Sequence, residues 1–373
     1  MVSRGWIYGM KDSWKFLFWG LISVLLAPNL SAQDLRDDQF LAKAEPGFVA
    51  LHSLDYDQAG RVFRSMQKSF PDHPAPPLYL AATVWLQEMF RRQELEMSRF
   101  AWPGHFIDKQ SSVMPAEQKH EFFRYLNLSE TLCRRILASE AKHRDAAYYL
   151  SGNYAIRGVF LFTIEGQAKE AFNHGKTAYG LGKEILARDP TYHDAYLGTG
   201  IYEYMVGSFP WYIKWLVAVM GYRGNKEKGF QYLDTAVQQG DNVTVEAAIA
   251  YNIILMREER WAEALAYAEQ LHRQFPRNYL FHLNVANHYY ALGRYEQAAE
   301  VYREVLKRTI AEAPNYDRMP DRQRGSTLIR LGNIYDRLGR REEAIEQYQA
   351  VLRHSDNAAL HRHAQKYLKQ PFE

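Results

Sequence analysis

Three segments near the C-terminus share one pattern of apolar and polar positions. They read RWAEA at 260–264, RYEQA at 294–298 and RREEA at 340–344. The first two lie 34 residues apart and the third 46 further on, and Tyr302 and Tyr348 follow the later two alanines by one helical turn. This spacing predicts amphipathic helices in which a small alanine permits close approach and an aromatic ring fills the space beside it.

A second helix precedes each of the later two segments. The runs ANHY at 286–289 and GNIY at 332–335 are followed by Gly293 and Gly339, and Pro276 ends the preceding unit. Each unit therefore predicts a helix, a glycine turn and a second helix.

These residues resemble the tetratricopeptide repeat, a helix–turn–helix unit of 34 residues. The resemblance spans 243–354 and weakens upstream, where Ala59, Phe63 and Pro71, and then Gly152 with Ala178 and Pro190, fit parts of the pattern. It implies an all-α fold, a right-handed helical solenoid of about seven hairpins with a hydrophobic helical insert. The predicted hairpins are 36–70, 75–140, 144–189, 192–240, 243–275, 278–312 and 322–354, with a capping helix at 357–369 and a two-proline loop at 313–320.

The N-terminus has the order of a secretory signal. Arg4, Lys11 and Lys15 precede the apolar run 16–27, and Ser31-Ala32 leads into an acidic segment. Because the run is too short for a bilayer span of about 20 residues, cleavage near Gln33 and export to the periplasm or cell envelope are predicted, and a retained anchor is the alternative. The predicted domains are a signal peptide at 1–32, degenerate hairpins at 33–140, long hairpins at 141–240 and regular repeats with the cap at 241–373.

Composition and charge exclude several function classes. The formal net charge of the 373 residues is +3, without the clustered basic face that nucleic-acid binding needs. The single cysteine, Cys133, lies in an apolar helical stripe and is predicted to be a buried thiol, which excludes disulfide and cysteine–zinc frameworks. His354, His361 and His363 lack the spacing of metal ligands and are predicted to be surface residues. No catalytic motif is present, so no enzyme activity, cofactor or metal is predicted.

A more particular resemblance lies in the middle of the chain. The pattern consists of GTGIYEY at 198–204, GSFP at 207–210, Lys214, GYRGNK at 221–226 and Gly229. Residues 145–275 resemble a class of exported bacterial repeat proteins and the tetratricopeptide-39-like, outer-mitochondrial-membrane family. That resemblance implies a helical scaffold and transfers no catalytic residue.

The hydrophobic insert at 208–222 contains an apolar stretch that is interrupted only by Lys214. About 18 Å of helix cannot span a bilayer. We expect Trp211 and Trp215 to be buried between hairpins. A membrane or partner patch formed by Phe209, Trp211, Tyr212 and Trp215 is the alternative.

Candidate binding residues come from a shared register of asparagines. Asn153, Asn287 and Asn333 are predicted to line a groove, where side-chain amides can pair with a peptide backbone, with Leu283, Tyr290 and Ile329 as apolar walls. Binding the terminal carboxylates of a peptide would require lysine or arginine one helical turn from the amides. Those places are occupied by Ile249, Leu283 and Ile329, so a hydrophobic or helical segment is the predicted ligand. The alternative is that the asparagines only contact neighbouring helices.

The predicted function is a non-catalytic scaffold that binds another protein or peptide in this groove. The first alternative is an envelope protein that docks on a membrane surface through 209–222. Small-molecule binding by tyrosines and an unrecognised enzyme site are further alternatives, and the oligomeric state is left open. The tyrosines concerned are Tyr148, Tyr149, Tyr154, Tyr202 and Tyr204.

Overall fold

Helices are the only regular secondary structure in the described part of the chain, so the all-α prediction is confirmed. The structure is a computed structural model that describes residue 35 and residues 38–101, 113–219, 221–308 and 319–373. The predicted signal peptide and, apart from Met319 and Pro320, the predicted loop at 313–320 lie outside these residues. None of the described helices combines the length and apolarity needed to cross a membrane.

Five of the seven predicted hairpins correspond to a pair of helices, whereas 75–140 and 192–240 each contain a third, short helix among the described residues. In chain order the helices are α1 (Asp38–His52), α2 (Tyr56–Ser69), α3 (Ala75–Arg91), α4 (Met97–Ala101), α5 (Ala116–Ser139), α6 (Arg144–Thr163), α7 (Ala168–Arg188), α8 (Ala195–Gly207), α9 (Trp211–Val219), α10 (Lys226–Gln239), α11 (Thr244–Arg257), α12 (Trp261–Gln274), α13 (Tyr279–Ala291), α14 (Tyr295–Lys307), α15 (Asp321–Arg337), α16 (Arg341–His354) and α17 (Ala358–Lys369).

The chain divides into two compact units. Unit 1 comprises Met1–Leu51, Tyr56–Arg92 and Ser98–Arg257. Unit 2 comprises His52–Asp55, Gln93–Met97 and Glu258–Glu373.

Unit 1 is held together by aromatic packing and by close helix contacts. The indole of Trp85 is buried and donates a hydrogen bond of 3.0 Å to the hydroxyl of Thr163, and Phe122 stacks on Phe160 with ring centroids 3.9 Å apart. Cys133 is buried, as predicted, and burial raises the pKa of its thiol. Such a thiol behaves as a small hydrophobic residue.

Unit 2 contains the hairpins α13/α14 and α15/α16 and the cap α17. Ala264, Ala298 and Ala344, the alanines of the repeated pattern, are completely buried, as expected for residues between packed helices. The ring of Tyr348 packs on Gly332, where an added Cβ would lie 2.4 Å from the ring. Small residues facing aromatic rings therefore set the distance between paired helices.

The turns of five hairpins each place one residue in the left-handed region, five residues before a buried alanine. These pairs are Leu54 and Ala59, Gly166 and Ala171, Glu259 and Ala264, Gly293 and Ala298, and Gly339 and Ala344. Sequence reasoning identified the turns at Gly293 and Gly339, but Leu54 and Glu259 adopt the same conformation without the freedom of glycine. The fold thus imposes strain at two non-glycine turns.

Replacing Glu259 by glycine is expected to stabilise unit 2. Glu259 is exposed and has a φ of 57°, a conformation that costs an L-residue about 1–2 kcal/mol. We expect the free energy of unfolding in urea to rise by up to about 1 kcal/mol, because glycine also loses more chain entropy on folding. Gly293→Ala is the matched control at the equivalent turn and should lower the free energy of unfolding by about 1 kcal/mol. A lower stability for Glu259→Gly would contradict the assigned turn geometry.

Candidate functional site

Two of the three predicted asparagines occupy equivalent places in unit 2. Asn287 and Asn333 each lie six residues before the left-handed turn glycine, Gly293 or Gly339. Both side chains are half-buried. The shared register predicted for this pair is therefore correct.

Tyrosines of the second helices hold the amide oxygens of this pair. The hydroxyl of Tyr302 donates to Asn287 Oδ1 at 2.5 Å, and the hydroxyl of Tyr348 lies 2.9 Å from Asn333 Oδ1. Burial raises the pKa of Tyr302 to about 12, so its hydroxyl stays protonated and can donate near neutral pH. The amide oxygens therefore support packing within each hairpin. Neither Nδ2 group makes a hydrogen bond within the described ranges.

Asn153 does not share this register. It lies 13 residues before its turn residue, Gly166, because α6 has 20 residues whereas α13 has 13. Its side chain is completely buried, and its Nδ2 donates to the Leu126 carbonyl at 2.7 Å. The prediction that Asn153 binds a partner is wrong, because its amide is used inside unit 1.

Two of the three predicted apolar walls lie in the core. Leu283 is 2% exposed and Ile329 is 7% exposed, so neither can contact a docked segment in the structure as it stands. Tyr290 is half-buried, with its ring 5.6 Å from that of Tyr295. The apolar-walled groove predicted from the sequence is therefore wrong at residues 283 and 329.

An arginine that the sequence reasoning missed lies beside Asn287. Arg330, on α15, donates from Nη1 to Asn287 Oδ1 at 2.8 Å, and its Nη2 lies 3.6 Å from Glu96 Oε2. The Arg330 side chain remains 38% exposed, whereas that of Glu96 is 14% exposed. Asn287 and Glu96 thus orient the guanidinium, which has five N–H donors and uses only some of them in these two contacts.

Further hydrogen bonds hold Glu96 in position. Gln323 donates from Nε2 to Glu96 Oε1 at 3.4 Å, and the Tyr279 hydroxyl donates to Gln323 Oε1 at 2.5 Å. Tyr279 and Gln323 are both buried. This chain of contacts orients the carboxylate toward Arg330.

The half-buried residues Asn287, Tyr290, Arg330 and Asn333 of α13 and α15 are named here the first-helix face. Its polar and aromatic groups are one oriented guanidinium, two amide NH2 groups and one tyrosine ring. These groups can donate hydrogen bonds to backbone carbonyls or to a carboxylate. In the sequence, positions 283 and 329 were considered for basic residues, and the second of them is one residue before Arg330. Arg330 lies three positions before Asn333 on the same helix, a spacing at which two side chains are neighbours.

The hydrophobic insert is largely exposed. Phe209 is 3% exposed, but Trp211 is 82%, Tyr212 51% and Trp215 71% exposed. The expectation that Trp211 and Trp215 are buried between hairpins is wrong. Apolar composition alone does not bury a helix, because another element must also cover it.

The proposed small-ligand tyrosines do not form an open pocket. Tyr148, Tyr149 and Tyr204 are at most 2% exposed, whereas Tyr154 and Tyr202 are half-buried. Among the residues described, no group of three or more histidine, cysteine or acidic side chains could hold a metal ion.

Comparison with known proteins locates repeats in the C-terminal part. Two family models described as "Tetratricopeptide repeat" match residues 253–316 and 326–358. No curated protein sequence matches the chain.

Two solved structures are similar to it. A tetratricopeptide repeat protein from Parabacteroides merdae has 13% identity and a TM-score of 0.32, over 89% of this chain and 98% of that one. A thermophilic TPR protein of Thermus thermophilus has 18% identity and a TM-score of 0.24, over 67% of this chain and 94% of that one. By the two family models, the chain contains tetratricopeptide repeats at residues 253–316 and 326–358.

Proposed function

We propose that the protein is a non-catalytic scaffold of the cell envelope that binds a segment of another protein on the first-helix face. Tetratricopeptide repeats generally mediate protein–protein interactions, and two models of this repeat match the part of the chain that carries this face. The envelope location rests on the signal-like order of residues 1–32.

The observation that carries the proposal is the oriented guanidinium of Arg330, whose side chain is 38% exposed. Its hydrogen bond to Asn287 and its position near Glu96 reduce the side-chain entropy that binding would otherwise cost. The neighbouring Nδ2 groups of Asn287 and Asn333 add two N–H donors each. We therefore propose a partner segment with hydrogen-bond acceptors, including a carboxylate, in place of the hydrophobic or helical segment predicted from the sequence.

Replacing Arg330 by alanine is expected to weaken partner binding about tenfold or more, because a hydrogen bond to a charged group contributes about 1.5–3 kcal/mol. Arg330 is a better test than Asn287 or Asn333, since tyrosine hydroxyls contact the amide oxygens of both and truncation would also disturb packing. The matched control is Arg303→Ala, which removes an exposed arginine from α14.

The measurement is quantitative recovery of partners from an envelope extract with the parent chain and both variants. Thermal unfolding of each variant checks that the fold is retained. A protein recovered with the parent and with Arg303→Ala, but at least tenfold less with Arg330→Ala, would support the proposal. Equal recovery with Arg330→Ala would place binding elsewhere.

A further inference from the structure

The described side chains of α9 form one exposed face. Six side chains of this helix are described, and only Ala218 among them is even half-buried. At 100° per residue, Trp211, Trp215, Val219 and Tyr212 fall together with Ala218 on one side of the helix, and Lys214 lies at the edge of that side. The face is therefore apolar with a basic border.

This face exposes more large hydrophobic side chains than the rest of the described surface. Four of the six large hydrophobic residues that are exposed among the described residues belong to α9, and Trp211, Trp215 and Val219 are each more than 70% exposed. An exposed apolar patch on this scale marks an interaction surface. The other two, Val49 and Val113, lie elsewhere in the sequence.

Both ends of α9 are fixed to unit 1. Phe209, just before the helix, is buried, and so is Tyr222 just after it. The Tyr222 ring lies 4.1 Å from that of Phe172, and its hydroxyl donates to Asn173 Oδ1 at 3.2 Å. The helix is thus held in place while its apolar face is open to solvent.

The charged residues of α9 and of the segment that follows it up to Lys226 are basic. They are Lys214, Arg223 and Lys226, and the nearest acidic residues in sequence are Glu203 and Glu227. From α7, the Nζ atom of the exposed Lys176 lies 4.2 Å from the centroid of the Tyr222 ring. Lys214, at the edge of the apolar face, and Lys176, beside Tyr222, are ammonium groups that complement an anionic surface.

We infer that the exposed face of α9 docks in the interface of an anionic lipid membrane. Tryptophan and tyrosine favour this interface, because their rings enter the acyl boundary while the N–H or O–H group stays hydrated. With nine residues, α9 is about 14 Å long, so it lies in the membrane plane and does not cross it. Lys214 and its basic neighbours then reach lipid phosphates. A protein partner at the same face is the competing occupant.

The test uses the full chain and a fluorophore at one position. Cys133 is buried, so Trp215→Cys supplies an exposed thiol for an environment-sensitive nitrobenzoxadiazole label. Val49→Cys, at the exposed apolar position on α1, is the control for contact by other parts of the chain. The parent chain, which should take up no label, checks that Cys133 does not react.

We expect phosphatidylglycerol vesicles to raise the emission of the label at 215 at least twofold and to shift it to shorter wavelength. The label at 49 should not respond, and phosphatidylcholine vesicles should have a much smaller effect at 215. Adding Lys214→Glu should weaken the response to anionic vesicles severalfold at low salt. These variants alter exposed side chains, so the melting midpoint should change little.

Three results would overturn the inference. The first is an unchanged emission at 215 with anionic vesicles, and the second is an equal response at 49 and 215. The third is a lipid-independent shift at 215 that grows with protein concentration, which would assign the face to a second copy of the chain.

Discussion

Replacing Gly229 by valine is expected to disrupt the contact between α8 and α10 and to lower the free energy of unfolding by about 3 kcal/mol or more. A Cβ at Gly229 would lie 2.4 Å from the backbone nitrogen of Tyr204 and 2.6 Å from its Cα. Such distances require the two helix backbones to move apart, since no side-chain rotation can relieve them. Gly200 on the opposing helix is also close to its neighbour, with its Cβ position 3.0 Å from the Leu233 nitrogen.

The measurement is the free energy of unfolding in urea for the parent and the variant. Gly180→Ala is the matched control, because a Cβ at Gly180 in α7 meets no atom within 4 Å. That change should stabilise the helix by about 0.5–1 kcal/mol, since alanine loses less chain entropy than glycine. A Gly229→Val variant as stable as the parent would show that α8 and α10 do not approach as described.

Mild acid is expected to produce the second large effect, a loss of stability in unit 2. Burial lowers the pKa of His282 to about 3, with further lowering by the neighbouring His272 and Arg308, and burial lowers the pKa of His288 to about 4. His272 stacks on His282 with ring centroids 3.9 Å apart. Glu304 Oε2 lies 3.4 Å from His282 Nε2, but this carboxylate is 57% exposed and does not offset the burial.

The sign follows from comparing the two states. An unfolded histidine has a pKa of about 6.5, so below that pH the unfolded chain binds protons that the folded chain does not. Stability is therefore full above about pH 6.5 and falls as the pH decreases toward 4. Between pH 7 and pH 5, each of the two histidines, His282 and His288, should lower the free energy of unfolding by about 2 kcal/mol.

The check is the difference in unfolding free energy between pH 7 and pH 5. His288→Leu should reduce that difference by about 2 kcal/mol, whatever its effect on stability at neutral pH. His363→Leu, which removes an exposed histidine from α17, controls for the loss of a histidine as such. An unchanged pH difference in His288→Leu would mean that this imidazole is protonated in the folded state.

The helix bounds of the repeats were predictable because local signals fix them. A glycine turn and an alanine five residues later define each of the last two hairpins. The predicted hairpin 278–312 encloses α13 and α14, and the predicted hairpin 322–354 matches α15 and α16 to within one residue. The same signals are weak at Leu54 and Glu259, where packing imposes a turn conformation that the residue does not favour.

The candidate site was less predictable because it depends on which surfaces remain uncovered. Asn153 resembles Asn287 in its local sequence, yet the greater length of α6 moves it out of register and into the core. The indoles of Trp211 and Trp215 were expected to be buried because they are apolar, but burial requires a covering element that composition does not reveal. The spacing of three residues between Arg330 and Asn333 is visible in the sequence, but the ion pair that orients Arg330 is not, because Glu96 lies more than 200 residues away.

A photo-crosslinking measurement tests most directly whether a partner segment docks on the first-helix face. A benzophenone amino acid replaces Tyr290 on α13 in one variant, and in the matched variant it replaces the exposed Glu300 on α14. After irradiation in an envelope extract, we predict one crosslinked protein from position 290, with at least tenfold less from position 300, and loss of the adduct on adding Arg330→Ala. Equal crosslinking from both positions, or an adduct at 290 that survives Arg330→Ala, would contradict the proposed docking face.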